Sequence, residues 1–237
     1  MKSPAADPAL VEKLVLANRI LYRYGVVDGF GHVSVRHDGS PGHFLLSRNM
    51  APALVRREDI VTYDLDGTAL DADGRRVYLE RFIHAEIYRA RPDVNAVVHS
   101  HSPSVIPFGV TGQALRPVFH MSGFLGEGSA LFEIRDVAGD TDMLISSNAL
   151  GVALANSLGS RSLVLMRGHG STTVGASLEQ AVYRALYAEV NARLQIQAKS
   201  LGEVTYLNAQ EAAKAAAIND TQLPRVWELW RQEIGQV

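Results

Sequence analysis

His99 and His101 stand one residue apart at the end of the apolar run Asn95-Ala96-Val97-Val98. A run rich in β-branched residues predicts a short buried strand. On a strand, residues i and i+2 point to the same side. Both imidazoles can then converge on one point, as the ligands of a metal ion must. A third candidate, His169, ends the apolar run Leu163-Val164-Leu165-Met166 and lies between Gly168 and Gly170. Those glycines let the backbone crowd a bound group. Glu80 is a fourth candidate, where a loop runs into a helix. A lone histidine at a strand end is more often structural; the i, i+2 pair and the paired glycines favour a mononuclear metal site here. The chain has no cysteine. The ligands are therefore nitrogen and oxygen, a set that suits Mn, Zn, Fe, Co or Mg.

The elements that must position these groups follow from pattern. Apolar residues at helical spacing predict a helix over Pro8–Tyr24, with Asp7 as N-cap and Pro8 at its first position. His32–Arg36 and Phe44–Ser47 read as a hairpin or meander after a turn at Val26–Gly31, and Ile60–Asp64 as a strand ended by Asp66-Gly67. Helices are expected at Glu80–Arg91, from near Pro103, and at Asn148–Leu158, Leu178–Leu201, Ala209–Ala217 and Pro224–Gln232. Strands are expected at Ala96–His99, Leu115–Phe119 and Leu163–Met166. Gly123–Gly128 reads as a flexible loop, and His37 and His43 as surface loop residues. The alanines 181, 185, 188 and 192 suit a helix that crosses tightly against another element. This order predicts an α/β fold with a mostly antiparallel central sheet flanked by helices.

The 237 residues are 47% hydrophobic with a formal charge of −2. That length and composition support a sizeable core. No Lys/Arg block marks a nucleic-acid surface, and no apolar run is long enough to cross a membrane. No apolar segment in Met1–Asp7 suggests a secretion signal. A cytoplasmic enzyme with a small-molecule substrate is the default expectation.

Three segments together resemble the class II aldolase/adducin family: Glu80-Arg81-Phe82-Ile83-His84, Arg91 to His101, and Arg167-Gly168-His169-Gly170. The likeness runs from about Pro8 to about Ser200. It implies one three-layer αβα domain over residues 1–237, with added C-terminal helices from about 203. It also implies a divalent metal on His99, His101 and His169, with Glu80 as a ligand or acid/base. A homotetramer with active sites at subunit contacts is implied in the same way.

The departures from the family's sugar-phosphate aldolases bear on substrate. His32 replaces an Asn that holds phosphate. Ser47-Arg48-Asn49-Met50 replaces a Thr-Gly turn, and Tyr78-Leu79 replaces a Ser-Ser pair. A phosphate nest needs several small donors, so a substrate without phosphate is expected. Arg48 offers a planar fork suited to a carboxylate. Tyr78, Leu79, Met50, Phe119 and Phe124 are candidates to wall a flat ring. Met121 replaces the aldolases' proton-donating Tyr, leaving His120 as a candidate donor. The Ser47–Pro52 and His120–Phe124 segments are similar to those of the family's aromatic decarboxylases. Those enzymes act on 3-hydroxy-2-methylpyridine-4,5-dicarboxylate, in vitamin B6 breakdown, or on 3,4-dihydroxyphthalate.

The resemblance therefore implies a metal-dependent decarboxylase of a hydroxylated aromatic ortho-dicarboxylate, with manganese favoured over zinc or another first-row metal. In that reading Arg48 and Ser47 bind the second carboxylate, Glu80 or His120 protonates the ring, and His32 lines the pocket. The rivals are an aldolase for an unphosphorylated substrate and a non-catalytic adducin-like module. His84, one helical turn after Glu80, is expected to pack, and Arg167 to face the site or a subunit contact.

Overall fold

The computed structural model describes residues 5–235. Most of the segment used to judge a secretion signal, Met1 to Pro4, lies outside the described residues. In chain order the elements are α1 (Pro8–Arg23), β1 (His32–Arg36), β2 (His43–Ser47), β3 (Ile60–Asp64), α2 (Arg81–Ala90), β4 (Ala96–Ser100), α3 (Ile106–Thr111), β5 (Ala130–Phe132), α4 (Arg135–Ala138), α5 (Asn148–Leu158), β6 (Leu163–Met166), β7 (Gly170–Gly175), α6 (Leu178–Leu201), α7 (Ala209–Asp220) and α8 (Leu223–Ile234). The seven strands form one sheet in the order β3-β2-β1-β4-β7-β6-β5. Every pairing is antiparallel except β5 with β6.

Strand alternation divides the core into two layers. Val33, Val35, Ala96 and Val98 face α1, α6 and α8. Phe44, Leu46, Val97 and Val174 face α2 and α5. Period-two geometry then puts His32, Ser34 and His99 on the α2 face. Burying a side chain of Leu or Val size is worth about 1.5–3 kcal/mol, so each layer fixes the register that aims these polar groups. The three-layer αβα arrangement expected from the sequence is present. Helix ends follow their caps: Asp7 accepts from Ala9 N at 2.9 Å, and Ser147 and Ser177 cap α5 and α6. Ala181, Ala185, Ala188 and Ala192 of α6 are all buried, in keeping with a tight crossing over the sheet.

Several expectations fail. Leu115–Phe119 is not a strand. Its backbone groups are met by side-chain amides of α6: Gln195 takes Arg116 N at 2.9 Å and gives to Ala114 O, while Asn191 takes Val118 N at 3.0 Å and gives to Arg116 O. The first part of Gly123–Gly128 is no loose loop. Residues His120–Leu125 form a 3-10 turn packed on α7. A Cβ on Gly123 would lie 2.5 Å from Ala212 O, so only glycine fits that approach. The helix expected from Pro103 begins at Ile106. His37 is buried, and His43 opens β2 rather than lying in a loop. Strands β5 and β7 and the short helix α4 were not foreseen. Among the described residues no helix is long and apolar enough to cross a membrane.

Candidate metal centre

Four side chains meet at one end of the sheet. β4 delivers His99, and His101 follows two residues on, as the i, i+2 spacing requires. The tight turn between β6 and β7 delivers His169, with His169 N donating to Met166 O at 3.0 Å. Glu80 occupies the N-cap position of α2 but makes no side-chain cap bond there. Its Oε1 instead accepts from Ile145 N at 3.0 Å, which leaves Oε2 to face the imidazoles. A carboxylate at a helix N-terminus also gains from the helix dipole.

One ligand atom from each of Glu80, His99, His101 and His169 lies within 4.8 Å of the others. His99 Nε2 is 3.2 Å from His101 Nε2. Glu80 Oε2 is 3.7 Å from His99 Nε2 and 3.6 Å from His169 Nε2. Bonds of about 2.1 Å in a tetrahedral site separate ligand atoms by about 3.4 Å, so the four fit a bound divalent ion. The outer contacts fit as well. His169 Nδ1 lies 3.0 Å from Met143 O and so carries the hydrogen, freeing Nε2 as a lone-pair donor. Thr172 Oγ1 sits 3.5 Å from His99 Nδ1. Among the described residues there is no second cluster of this kind.

Electrostatics support the same reading. Burial opposes ionisation of Glu80. The His169 hydrogen bond, the charges of His99 and His169 and the Ile145 N–H outweigh it and bring the carboxyl down to about 2. Burial drives His99 down to about 3 despite Glu80, with the other imidazoles adding to the effect. Burial and His169 lower His101. His169 differs: burial pulls it down, but its hydrogen bond to Glu80 prevails and raises it. Ionised carboxylate and mostly neutral imidazoles are the forms that ligate metals.

The remaining candidates divide. His32 stands directly opposite His99 across β1 and β4, with ring centres 5.0 Å apart. Tyr78 lies on its other side at 4.6 Å. The Tyr78 hydroxyl donates to Met50 O at 2.5 Å and sits 3.5 Å from Ser47 Oγ. These residues form a row leading away from the metal cluster. Arg48 pairs through Nε with Asp59 at 2.6 Å. It borders a surface cavity of about 460 Å³ shared with Arg19, Met50 and Arg56. Leu79 is exposed. Phe124 and Phe119 pack beside α6 against Tyr183 and Tyr187. His120 is exposed, and its carbonyl accepts from Asn219. Among the described residues no hydrogen bond, ion pair or ring contact joins Phe124 or His120 to the four. His84 is buried and bonded to His32 and Ser34 rather than to Glu80. Arg167 binds Glu133 at 2.5 Å.

The sequence reading missed Met143, Ile145 and Phe30. The first two act through backbone atoms of an irregular segment, which no side-chain pattern reveals. Phe30 is 70% exposed and 6.5 Å from the His101 ring. An Asx turn holds it, with Asp28 Oδ1 accepting from Phe30 N at 2.8 Å. The Asp28-Gly29 pair was the available turn signal.

A three-histidine, one-carboxylate cluster at the end of a mixed sheet between two helical layers is a donor set that could hold a divalent metal ion. Residues 12–196 match the Class II Aldolase and Adducin N-terminal domain, and the chain belongs to that family. Decarboxylase tropJ of Talaromyces stipitatus is 36% identical, over 99% of this chain and 96% of its own. The 3,4-dihydroxyphthalate decarboxylase of Arthrobacter keyseri is 33% identical over 84% of this chain and 83% of its own. The crystal structure of an aldolase II superfamily protein from Pseudomonas syringae superposes with a TM-score of 0.79 at 24% identity, covering 97% of this chain and 94% of that one. With named decarboxylases aligned along most of its length, the chain is an enzyme, a carbon–carbon lyase of the carboxy-lyase kind.

Proposed function

We propose that this enzyme is a divalent-metal-dependent decarboxylase of a hydroxylated aromatic ortho-dicarboxylate, of the 3,4-dihydroxyphthalate or 3-hydroxy-2-methylpyridine-4,5-dicarboxylate type. The observation that carries the reading is the convergence of Glu80, His99, His101 and His169 in a chain whose relatives are decarboxylases. His99, His101 and His169 would hold the metal, with Glu80 beside them. Bound there, a divalent ion would supply Lewis-acid stabilisation of negative charge on a substrate oxygen; manganese is favoured, and zinc or another first-row metal also suits the ligand set.

Decarboxylation removes carbon dioxide and returns a proton to the ring carbon that lost it. A phenolic substrate gives up its hydroxyl proton, and the ring carbon bearing the carboxylate takes a proton to give a keto form. As carbon dioxide leaves, the pair from the broken C–C bond restores the aromatic ring with its oxygen as phenolate, which then takes up a proton. Glu80 Oε2 faces the imidazoles while Oε1 is anchored on Ile145 N. In this reading the Glu80 carboxylate moves that proton. Among the described residues no hydrogen bond, ion pair or ring contact joins His120 to the cluster, so it serves as donor only if a neighbouring copy brings it there.

Tyr78 supports an unphosphorylated, aromatic substrate. It is buried against His32 where a phosphate nest would need small donors. Phe30 offers an exposed ring face beside His101. Arg48 is held by Asp59 through Nε, and its two terminal nitrogens remain available for a carboxylate at the edge of the pocket.

The test is product analysis on manganese-loaded protein given 3,4-dihydroxyphthalate or the pyridine dicarboxylate. Carbon dioxide release that stops on chelation supports the reading. Release of an aldehyde from unphosphorylated aldol substrates, with none of carbon dioxide, would replace it with an aldolase.

A further inference from the structure

β1 and α2 lie against each other on the sheet face that carries the metal-binding cluster. Residues two apart on a strand stand about 6.8 Å apart on one side. Residues four apart on a helix rise about 6.0 Å along one stripe. That near match lets His32 and Ser34 of β1 meet His84 and Tyr88 of α2. His32 Nδ1 is 2.6 Å from His84 Nε2. His84 Nδ1 is 2.6 Å from Ser34 Oγ. Ser34 Oγ is 2.8 Å from the Tyr88 hydroxyl. All four residues are buried. Phe44 closes the outer side, with ring centres 6.2 Å from His84 and 5.4 Å from Tyr88.

The ends of this chain set its direction. The Tyr88 hydroxyl oxygen takes a backbone N–H from Val97, and among the described residues Ser34 Oγ is the group that can accept its proton. A buried hydroxyl proton finds an acceptor, so Tyr88 donates to Ser34. Ser34 in turn donates to His84 Nδ1, and His84 Nε2–H donates to His32 Nδ1. The opposite order would bury the Tyr88 proton without an acceptor, at about the cost of a lost hydrogen bond. In the favoured order His32 Nδ1 accepts, and His32 carries its proton on Nε2. Among the described residues Nε2 has no hydrogen-bond partner. The ring sits between Tyr78 and His99.

We propose that His32 is a substrate-binding residue. Its fixed Nε2–H donates to a carboxylate or phenolate oxygen of the molecule held at the metal cluster. Tyr88, Ser34 and His84 are positioning residues that set this tautomer. An ionised carboxylate only accepts hydrogen bonds; the other tautomer of His32 would turn a bare lone pair toward it. The identity of the acceptor rests on the decarboxylase reading, whereas the direction of the buried chain does not.

Two measurements test the inference. The first is the nitrogen-15 spectrum of histidine-labelled, metal-free full-length protein. His32 is expected as the Nε2–H tautomer, and Ser34→Ala, which unlinks His84 from Tyr88, is expected to give a mixture of tautomers. An Nδ1–H tautomer in the unsubstituted protein overturns the proposal. The second is steady-state kinetics on 3,4-dihydroxyphthalate. His32→Gln keeps an N–H near the Nε2 position, whereas His32→Asn keeps one only on the Nδ1 side. His32→Asn is expected to raise KM roughly tenfold, the scale of one hydrogen bond to a charged group. His32→Gln is expected to stay within about threefold on the same scale. Equal KM values for the two variants overturn the proposal. If the protein releases no carbon dioxide at all, the decarboxylase reading falls, and the tautomer still decides the inference.

Discussion

Gly170 begins β7 immediately after His169, and its substitution by alanine probes the metal centre from the backbone. A Cβ at this position would lie 2.2 Å from Ser100 O and 3.1 Å from both Ser100 C and His101 Cδ2. An ordinary carbon–oxygen contact needs about 3.2 Å, so the strands would have to part by about 1 Å in a close-packed interior. Ser100 separates His99 from His101, and Gly170 adjoins His169. Any parting therefore moves one ligand away from the other two. Overpacking of this kind costs about 1–3 kcal/mol. At about 2–4 °C per kcal/mol for a chain of this size, the melting temperature of Gly170→Ala should fall by roughly 2–12 °C. Metal sites tolerate about 0.2 Å in ligand distance, so metal affinity should fall at least about tenfold as well. The assay is a thermal melt with and without excess zinc. At a metal concentration of about one hundred times Kd, binding adds about 2.7 kcal/mol to the unsubstituted protein; a tenfold loss of affinity removes about half of that. Gly42→Ala is the control, since a Cβ there meets nothing within 4 Å. If Gly170→Ala melts with the parent and keeps the full zinc-induced rise, the close approach is not what aligns the ligands.

Glu80→Gln should keep the three imidazoles and bind metal, yet lose at least about a hundredfold in kcat, the usual scale of a positioned acid/base; near-parental turnover would remove Glu80 from proton transfer. Phe30→Ala should raise KM several-fold with little change in melting temperature, because the ring is exposed and packs on the edge of the site; an unchanged KM would make Phe30 a bystander. The metal-free protein should lose stability in mild acid. His84 and His99 are held near 3 by burial, and burial also holds His32 well below 6.5. The unfolded chain binds protons at these positions below about pH 6.5 that the folded chain refuses, so their contribution is full above that pH and is lost as the pH falls toward 3. Each such histidine gives up about 1.4 kcal/mol between pH 7.5 and 5.5. His169, raised by Glu80, works the other way: its contribution is present below about pH 6.5 and fades above it. Urea midpoints at the two pH values measure the net effect, and equal midpoints would contradict the buried neutral state.

How far the sequence could be read depended on where the information lay. α5, β6 and α6 appear with the expected ends because apolar periodicity coincides with local stops: Ser147 and Gly159 around α5, Ser177 before α6. β7 was missed because Gly170-Ser171-Thr172-Thr173-Val174-Gly175 is buried throughout yet mostly small and polar. Its place is set by β4 and β6 on either side. Leu115–Phe119 has the composition of a strand, but Asn191 and Gln195, more than seventy residues away, claim its backbone groups. At the site, the convergence of His99, His101, His169 and Glu80 was legible because strand periodicity aims His99 and His101 to one side and the glycine-flanked turn carries His169. The aromatic wall was not, since Phe124 and Phe119 satisfy burial equally well beside α6. The His32–His84–Ser34–Tyr88 chain needs the register of β1 against α2, which spacing alone does not give.

The most direct test of the central claim is a manganese titration of metal-free protein during turnover of carboxyl-labelled 3,4-dihydroxyphthalate or pyridine dicarboxylate, with labelled carbon dioxide as the readout. Release that rises in proportion to added metal and levels off at one ion per chain is the expected result. Release that is independent of metal, or absent from both substrates while one ion per chain is bound, would contradict it.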